Sequence, residues 1–216
     1  MERRATFNAA ALAALVAFVC AILLGFVFRA PDPGVSLQPV TPGPVSDFVR
    51  PINDYPGLML GFLASDTLFV LSYLVVFGGL YATVADRARV LAIAGLGAGV
   101  LTALLDATEN AHFITYATAS LNGAPLADPD VSTVYVLANL KWMAAFATLG
   151  VFGLAWPRED RLGWIISALM LLFVVVGVLG IAAPGLIPLR GLFFLAGMPL
   201  FAWHFWRQSR RAKRDA

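Results

Sequence analysis

A cluster of ionisable side chains interrupts a long apolar stretch of the chain at the segment LLDATENAHFITY. Asp106, Glu109 and Asn110 stand at positions i, i+3 and i+4, so a helix places them on one face. Asp66 and Lys141 lie in the two neighbouring apolar stretches. Because several carboxylates that share one ammonium cannot all ionise at low cost, at least one of them is expected to hold a proton. These residues therefore predict a buried polar cluster with a candidate proton site.

The composition indicates that this cluster lies within a lipid bilayer. Apolar residues make up 60% of the 216 residues and charged residues only 13%, whereas a soluble domain is roughly 25% charged. A helix that crosses a bilayer needs about 20 mostly apolar residues. The sequence contains six such segments and predicts an all-α bundle of six transmembrane helices in one domain, 1–216, with helices near 6–28, 57–84, 90–116, 133–156, 162–183 and 189–206.

Two segments outside these helices have distinct compositions. Residues 29–56 are rich in Pro and Gly, which oppose helix continuation, and are expected to form an extended connector on the extracytoplasmic side. Residues 207–216 form a basic tail, which is expected to anchor the topology on the cytoplasmic side rather than to bind nucleic acid. The first apolar segment is longer than a typical signal core and is expected to remain as a helix.

The distribution of Lys and Arg predicts the orientation of the chain. Cytoplasmic segments of membrane proteins carry an excess of these residues. With the N-terminus inside, three arginines fall in outer segments: Arg29, Arg50 and Arg190. We therefore expect a multi-pass protein of a bacterial inner membrane with both termini cytoplasmic. The inner segments then hold Arg3, Arg4, Arg87, Arg89, Arg158, Arg161, Arg207, Arg210, Arg211, Lys213 and Arg214.

In this orientation the charged residues converge at one depth. At about 1.5 Å per residue, Asp66 lies ~13 Å below the start of its helix, and Lys141 lies at a similar depth. A charge at mid-bilayer costs roughly 2.5 to 3.5 kcal/mol, so these groups are expected to face the bundle interior. We expect Lys141 to pair with Asp106 or Glu109, with Asp66 as a third member. The predicted site is a polar pocket between the second, third and fourth helices that opens to the outer face.

Two further side chains are candidate accessories, and each has a simpler alternative. His112 follows Glu109 by three residues and could exchange protons with it, or it could face the outer loop. Tyr73 lies two turns from Asp66 and could hydrogen-bond in the pocket or only pack. The second histidine, His204, is predicted at the opposite membrane side, so we expect neither a zinc nor a haem site. No catalytic motif is recognised, and no cofactor is expected.

The expected partners follow from the same features. The bilayer is the first partner, and an unknown small solute or a proton is the second, whereas nucleic acid is not expected. Gly95 and Gly99 form a GxxxG pair, which allows helices to approach closely and leaves an oligomer open.

The cluster also resembles a pattern seen in other membrane proteins. Asp106, Glu109 and Asn110 form a D-x-x-E-N group, and Lys141 and Trp142 form a Lys-Trp pair on the next helix. This resembles uncharacterised bacterial multi-pass membrane proteins over mainly the third and fourth helices. The resemblance implies that the cluster acts as one unit, but it implies no particular activity.

Three functions are compatible with this sequence. The favoured hypothesis is a small transporter, conducting protein or sensor in which protonation of Asp66, Asp106 or Glu109 is coupled to Lys141. The alternative is a structural or accessory membrane protein whose buried ion pair locks the helices together. The third is a membrane enzyme that uses a carboxylate and His112 on a lipid-derived substrate, although the sequence favours a protein that is not an enzyme.

Overall fold

The computed structural model describes residues 2–37, 44–127 and 129–214, and these ranges contain seven α-helices and no β-strand. The first helix continues into a π-helical turn, Leu23–Val27, and a short 3₁₀ turn, Pro184–Leu186, precedes the last helix. The helices are α1 (Glu2–Ile22), α2 (Val45–Asp54), α3 (Pro56–Val84), α4 (Arg89–Leu121), α5 (Val131–Ala155), α6 (Arg161–Ala182) and α7 (Leu189–Arg214).

Six of these helices are long and apolar enough to cross a membrane, and α2 is the exception. Large apolar side chains cover the outside of the bundle, among them Leu71, Leu104 and Leu154, which are each more than half exposed. A water-soluble helical protein would place such residues inside, whereas a bilayer solvates them. The predicted all-α fold with six membrane-spanning helices is therefore confirmed, and the chain has the architecture of a multi-pass membrane protein.

The segment 29–56 differs from the extended connector that was expected, because α2 lies within it. Phe48 and Ile52 stand four residues apart on one face of α2, and both are buried. The ring centroids of Phe48 and Phe113 lie 5.3 Å apart. Asn53 accepts a hydrogen bond from the backbone N–H of Leu126 and donates one to its carbonyl, each at 2.9 Å. The α2 part of the connector is thus packed onto the bundle.

The expected basic tail also differs from the structure, since α7 continues as a helix to Arg214. Residues 215 and 216 lie outside the described ranges. The positive charges of this segment are therefore presented on a rigid helix, and the guanidinium carbon of Arg210 lies 3.9 Å from the ring centroid of Trp206.

The six long helices form a closed ring. Each helix packs against the one that precedes it among the six, and α7 packs against α1 to complete the ring. At this closure the rings of Phe7 and Phe205 stack with their centroids 6.2 Å apart. Ser209 donates a hydrogen bond to the Asn8 side chain at 2.6 Å. The arrangement leaves a central space that all six helices can line.

The start of α1 and the end of α7 lie on the same face of this ring, which we call the terminal face. Arg3 forms an ion pair of 2.7 Å with Asp86, in the turn between α3 and α4. Arg207 forms one of 3.0 Å with Asp160, in the turn between α5 and α6. The opposite side, the loop face, carries the connector and the turns at 122–130 and 183–188. Which face is cytoplasmic remains a prediction.

The glycines of the GxxxG pair contact aromatic rings of the same chain. A Cβ placed on Gly95 would lie 3.0 Å from the ring of Phe152, and one placed on Gly99 would lie 2.5 Å from the ring of Phe77. These two contacts bring α5 and α3 close to α4. The pair therefore serves packing within the bundle, and it gives no support to the expected oligomer.

Candidate functional site

An ion-pair cluster joins α4 to α5 in the half of the bundle nearer the loop face. The Lys141 ammonium lies 2.8 Å from Asp106 Oδ1 and also forms an ion pair with the Glu109 carboxylate. Exposure is 7% for Lys141, 7% for Asp106 and 2% for Glu109, so all three charges are buried. The sequence allowed either carboxylate as the partner of Lys141, and the structure pairs the lysine with both.

The helical spacing of α4 explains this geometry. Asp106, Glu109, Asn110 and Phe113 occur along one face of the helix, and all four are buried. The antiparallel neighbour α5 presents Lys141 to that face, because a short connection joins the two helices. One ammonium can then reach two carboxylates that are separated by a single turn.

Tyr73 of α3 forms the second side-chain contact of the Asp106 carboxylate. Its hydroxyl donates a hydrogen bond of 2.9 Å to Asp106 Oδ2, while Lys141 occupies Oδ1. Both oxygens of this carboxylate are thus engaged, each by a different helix. Asn110 lies beside them and donates a hydrogen bond of 3.5 Å to Thr67. Of the two predicted accessory residues, Tyr73 is brought into the cluster.

Asp66 lies close to this cluster but outside the ion pairs. It is 8% exposed, and its Oδ2 has no hydrogen-bond partner among the described residues. No basic side chain of the described ranges lies within ion-pair distance of it. The structure therefore places Asp66 next to the cluster without the direct contact to Lys141 that a third member of the ion pair would make.

The two histidines lie elsewhere. His112 is half-buried, and its Nδ1 lies 2.8 Å from the Thr108 carbonyl oxygen one turn earlier in α4. His204 is buried on α7 against Trp156, with ring centroids 4.8 Å apart. Within the described residues, no three His, Cys, Asp or Glu side chains are grouped as metal ligands would be.

A cavity of about 950 Å³ occupies the centre of the ring and borders the cluster. All six long helices contribute to its wall, and the segment after α1, including Pro33 and Leu37, covers part of it at the loop face. Most lining residues are apolar. The polar and charged lining side chains are Asp66, Tyr73, Thr102, Asp106, Lys141 and Arg190 on the long helices, and Arg29, Asp32 and Ser36 in the segment after α1.

Arg190 is a cavity residue that the sequence did not identify as one. It is 8% exposed, and its Nη2 donates a hydrogen bond of 3.0 Å to the Gly177 carbonyl of α6. Its guanidinium carbon lies 4.7 Å from the ring centroid of Trp142 and 5.3 Å from that of Phe146. Its Nε has no hydrogen-bond partner in the described part of the chain. The available signal was an arginine in the outer segments directly before an apolar helix, PLRGLFFLAG.

Aromatic rings form much of the wall between Arg190 and the cluster. The ring of Phe194 lies 5.4 Å from Phe69, 6.3 Å from Trp142 and 5.6 Å from Phe173, measured between centroids. Phe69 in turn contacts Tyr73 at 5.4 Å. These side chains come from α3, α5, α6 and α7, so four helices contribute aromatic rings to the wall.

No known protein family, curated protein sequence or solved structure matches this chain. The chemistry of the site therefore follows from its own geometry. The cluster can exchange protons, because it contains more carboxylates than ammonium groups. The cavity is of the size that takes a small molecule, with an apolar wall and a few convergent polar groups.

Proposed function

We propose that this membrane protein binds a small solute in the central cavity and couples its binding to protonation of the carboxylate cluster, as a transporter or a sensor does. One observation carries the proposal. Asp66, Asp106 and Lys141 form part of the wall of a large cavity, whereas charges that only lock two helices together have no need of such a space. Ionisable residues inside a membrane protein generally mark substrate or proton pathways.

The shape of the cavity favours binding over free conduction. Toward the terminal face the ring is filled by packed apolar side chains, including Leu80, Phe152, Trp156 and Phe205, each at most 1% exposed. A solute that enters from the loop face meets this closed layer. Such an arrangement supports a transporter in one of its states or a sensor, and it gives no support to an open channel.

The balance of charge favours a role for protons. Asp106 and Glu109 pair with Lys141, and Asp66 lies beside them, so the site holds three carboxyl groups and one ammonium. A buried site with net negative charge is costly. Binding of a proton removes part of that excess without any movement of the helices. A solute that changes the local charge would then change the proton occupancy, which is the coupling that we propose.

The orientation and setting remain part of the proposal. The excess of Lys and Arg on the terminal face supports a cytoplasmic location of that face. The cavity would then open to the outside of a cell membrane, and we retain the bacterial inner membrane as the expected one. The resemblance of the D-x-x-E-N group to uncharacterised bacterial proteins stays a prediction.

The proposal can be tested without knowledge of the solute. Infrared difference spectra of the reconstituted protein between acidic and alkaline pH would reveal the carbonyl band of a buried carboxylic acid. We expect this band in the wild type and its reduction in Asp66→Asn, Asp106→Asn or Glu109→Gln. The matched control is Asp47→Asn, at an exposed position of α2. Folded cluster variants that keep the full band, and show the wild-type pH response in a proteoliposome proton-flux assay, would contradict the proposal.

A structural role is the second candidate, because one observation favours it. Lys141 pairs with both Asp106 and Glu109 in a buried position, and such a network fixes the register of α4 against α5. This role predicts that stability, and no proton-linked signal, depends on the cluster. An enzyme that uses His112 receives no such support, since the histidine is absent from the cavity wall.

A further inference from the structure

Two oppositely charged side chains on the cavity wall are buried and incompletely hydrogen-bonded. Asp66 and Arg190 are each 8% exposed. Asp66 Oδ2 and Arg190 Nε have no hydrogen-bond partner among the described residues. In those same ranges neither side chain has an oppositely charged group within ion-pair distance. Buried polar atoms are normally satisfied, so each of these two requires an explanation.

The two side chains lie on different helices of the cavity wall. Asp66 belongs to α3 and lies beside α4, whereas Arg190 belongs to α7 and is held by Gly177 of α6 and Trp142 of α5. In the ring of six helices, α3 and α7 both pack against α1. One turn further along each of these two helices, the rings of Phe69 and Phe194 lie 5.4 Å apart, measured between centroids. The two charges therefore lie on the loop-face side of this aromatic contact.

We propose that the cavity binds a zwitterionic solute with an apolar body, whose anionic group contacts Arg190 and whose cationic group contacts Asp66. This inference rests on the proposed solute-binding function and names the chemical class of the solute. The guanidinium is a donor suited to carboxylate or phosphate. Stacking on Trp142 and Phe146 fixes its plane. The aromatic and aliphatic side chains of the wall suit the body of the solute.

Other classes of solute would bind only one of the two unsatisfied side chains. An amphipathic anion would pair with Arg190 and leave Asp66 Oδ2 unsatisfied, and an amphipathic cation would do the reverse. A zwitterion meets both orphaned atoms.

Binding of the cationic group of the solute also explains how a proton would be released from Asp66. We expect Asp66 to hold a proton when the cavity is empty, because two other carboxylates lie near it and Lys141 is already paired with both of them. When an ammonium group arrives, it serves as the counter-charge, the Asp66 carboxyl ionises and the proton leaves to solution. The ionisable groups that interact with Asp66 are Asp106 and Glu109 of α4, Lys141 of α5, Tyr73 of α3 and Cys20 of α1.

Three probes that share one apolar body test this assignment: octanoate, octylammonium and ω-amino octanoate. Each would be titrated into the full-length protein in nanodiscs, with empty nanodiscs as the control for partitioning into lipid. Tryptophan fluorescence reports binding, and Trp142→Phe identifies the contribution of the ring beneath Arg190. A pH indicator in weakly buffered solution reports proton release. We expect ω-amino octanoate to bind more tightly than either single-charge probe and to release a proton.

Two variants should weaken binding of the zwitterion. Asp66→Asn and Arg190→Gln each remove one charge with little change in size, and we expect each to reduce affinity about tenfold to a hundredfold. Only Asp66→Asn should also abolish proton release. Asp47→Asn, exposed on α2, and Arg87→Gln, exposed in the turn between α3 and α4, are the matched controls, because neither residue lines the cavity. Arg190→Lys keeps the charge and serves as a second variant should Arg190→Gln fail to fold.

The outcomes separate this inference from the proposed function. Tighter binding of octanoate or octylammonium than of ω-amino octanoate would overturn the zwitterion assignment. Binding of ω-amino octanoate that is unchanged in both cavity variants would overturn it as well. In either case, a cluster-dependent infrared band of a protonated carboxyl would still support the proposed function. Loss of both signals would contradict the two proposals together.

Discussion

At the scale of single residues, the buried charges make Lys141 the position most sensitive to substitution. Lys141→Met would leave Asp106 and Glu109 buried without their shared cation. Removal of one partner of a buried ion pair costs about 3–5 kcal/mol of stability. We expect the free energy of unfolding to fall by that amount. Chemical or thermal unfolding in detergent would measure it.

The control for this prediction removes both partners of the lysine together with it. The triple variant Lys141→Met, Asp106→Asn and Glu109→Gln has no buried charge left in the ion pairs, so it should recover much of the lost stability. A double variant that keeps one carboxylate should recover less. A triple variant as unstable as Lys141→Met alone would show that the effect does not arise from unpaired charge.

The residues of the cluster differ in how far the sequence could predict them. The period of the helix places Asp106, Glu109 and Asn110 on one face whatever the neighbouring helix does, and the structure agrees. Their partners depend on how α3 and α5 are rotated, which spacing along the chain does not determine. Arg190 was counted only toward the orientation, because an arginine at the start of a membrane helix usually reaches water. Here it contacts Trp142 instead.

At the scale of helices, α6 should depend on its N-cap. Asp160 Oδ1 accepts a hydrogen bond of 2.8 Å from the backbone N–H of Gly163, and an aspartate cap of this kind is worth about 1 kcal/mol. Asp160→Ala should lower the free energy of unfolding by about that amount at neutral pH. Glu159→Ala, at the exposed neighbouring position, is the matched control and should have little effect.

The same N-cap predicts that the stability of the protein depends on pH. The hydrogen bond from the Gly163 backbone, aided by Arg207, holds the pKa of Asp160 below its usual range. The cap therefore contributes fully above the unfolded pKa of about 4 and loses its contribution as the pH falls through the lower folded value. Thermal unfolding of the wild type and Asp160→Ala should differ at neutral pH and converge in acid. A constant difference would contradict this account.

The contact between α3 and α4 should depend on one glycine. A Cβ at Gly99 would lie 2.5 Å from the buried ring of Phe77, whereas one at Gly97 would meet no atom of the described residues within 4 Å. Gly99→Ala should lower the free energy of unfolding by about 1–3 kcal/mol, because the added methyl group overpacks this contact. Gly97→Ala should stay within about 1 kcal/mol of the wild type or stabilise, because it removes a glycine from a helix. Equal effects on thermal unfolding would contradict the steric explanation.

The six long helices could be predicted from the sequence because hydropathy alone identifies them. Six long apolar segments leave few alternatives to six spanning helices, and the structure contains them. The helix α2 was not predicted, because Pro51 lies inside it and its apolar residues are few. It forms because Phe48 and Ile52 find a partner in Phe113, a contact between distant parts of the chain.

At the scale of the whole molecule, the location of the two faces can be measured directly. Native Cys20 is 2% exposed and should not react with a membrane-impermeant maleimide. In intact cells we expect labelling of Asn122→Cys on the loop face but not of Glu159→Cys on the terminal face. Permeabilised cells should label both. The reverse pattern would invert the proposed orientation and place the cavity opening in the cytoplasm.

The extent of the cavity was harder to predict from the sequence than the acidic residues of its wall. The sequence placed the pocket between the second, third and fourth helices, since the charges of those helices share a depth. The observed cavity includes all six long helices, because α7 returns to α1 and closes the ring. That closure depends on contacts such as Phe7 with Phe205, which link opposite ends of the chain and leave no periodic signal.

Closure of the ring by its first and last helices has a consequence for biosynthesis. Ala10, Ala14 and Ala17 of α1 are completely buried, and α7, which is synthesised after the other five long helices, packs against α1. Before α7 enters the bilayer, this side of α1 lacks its partner helix. Arg190 belongs to α7 and joins the cavity wall at the same step. The central cavity is therefore complete only after α7 has been synthesised.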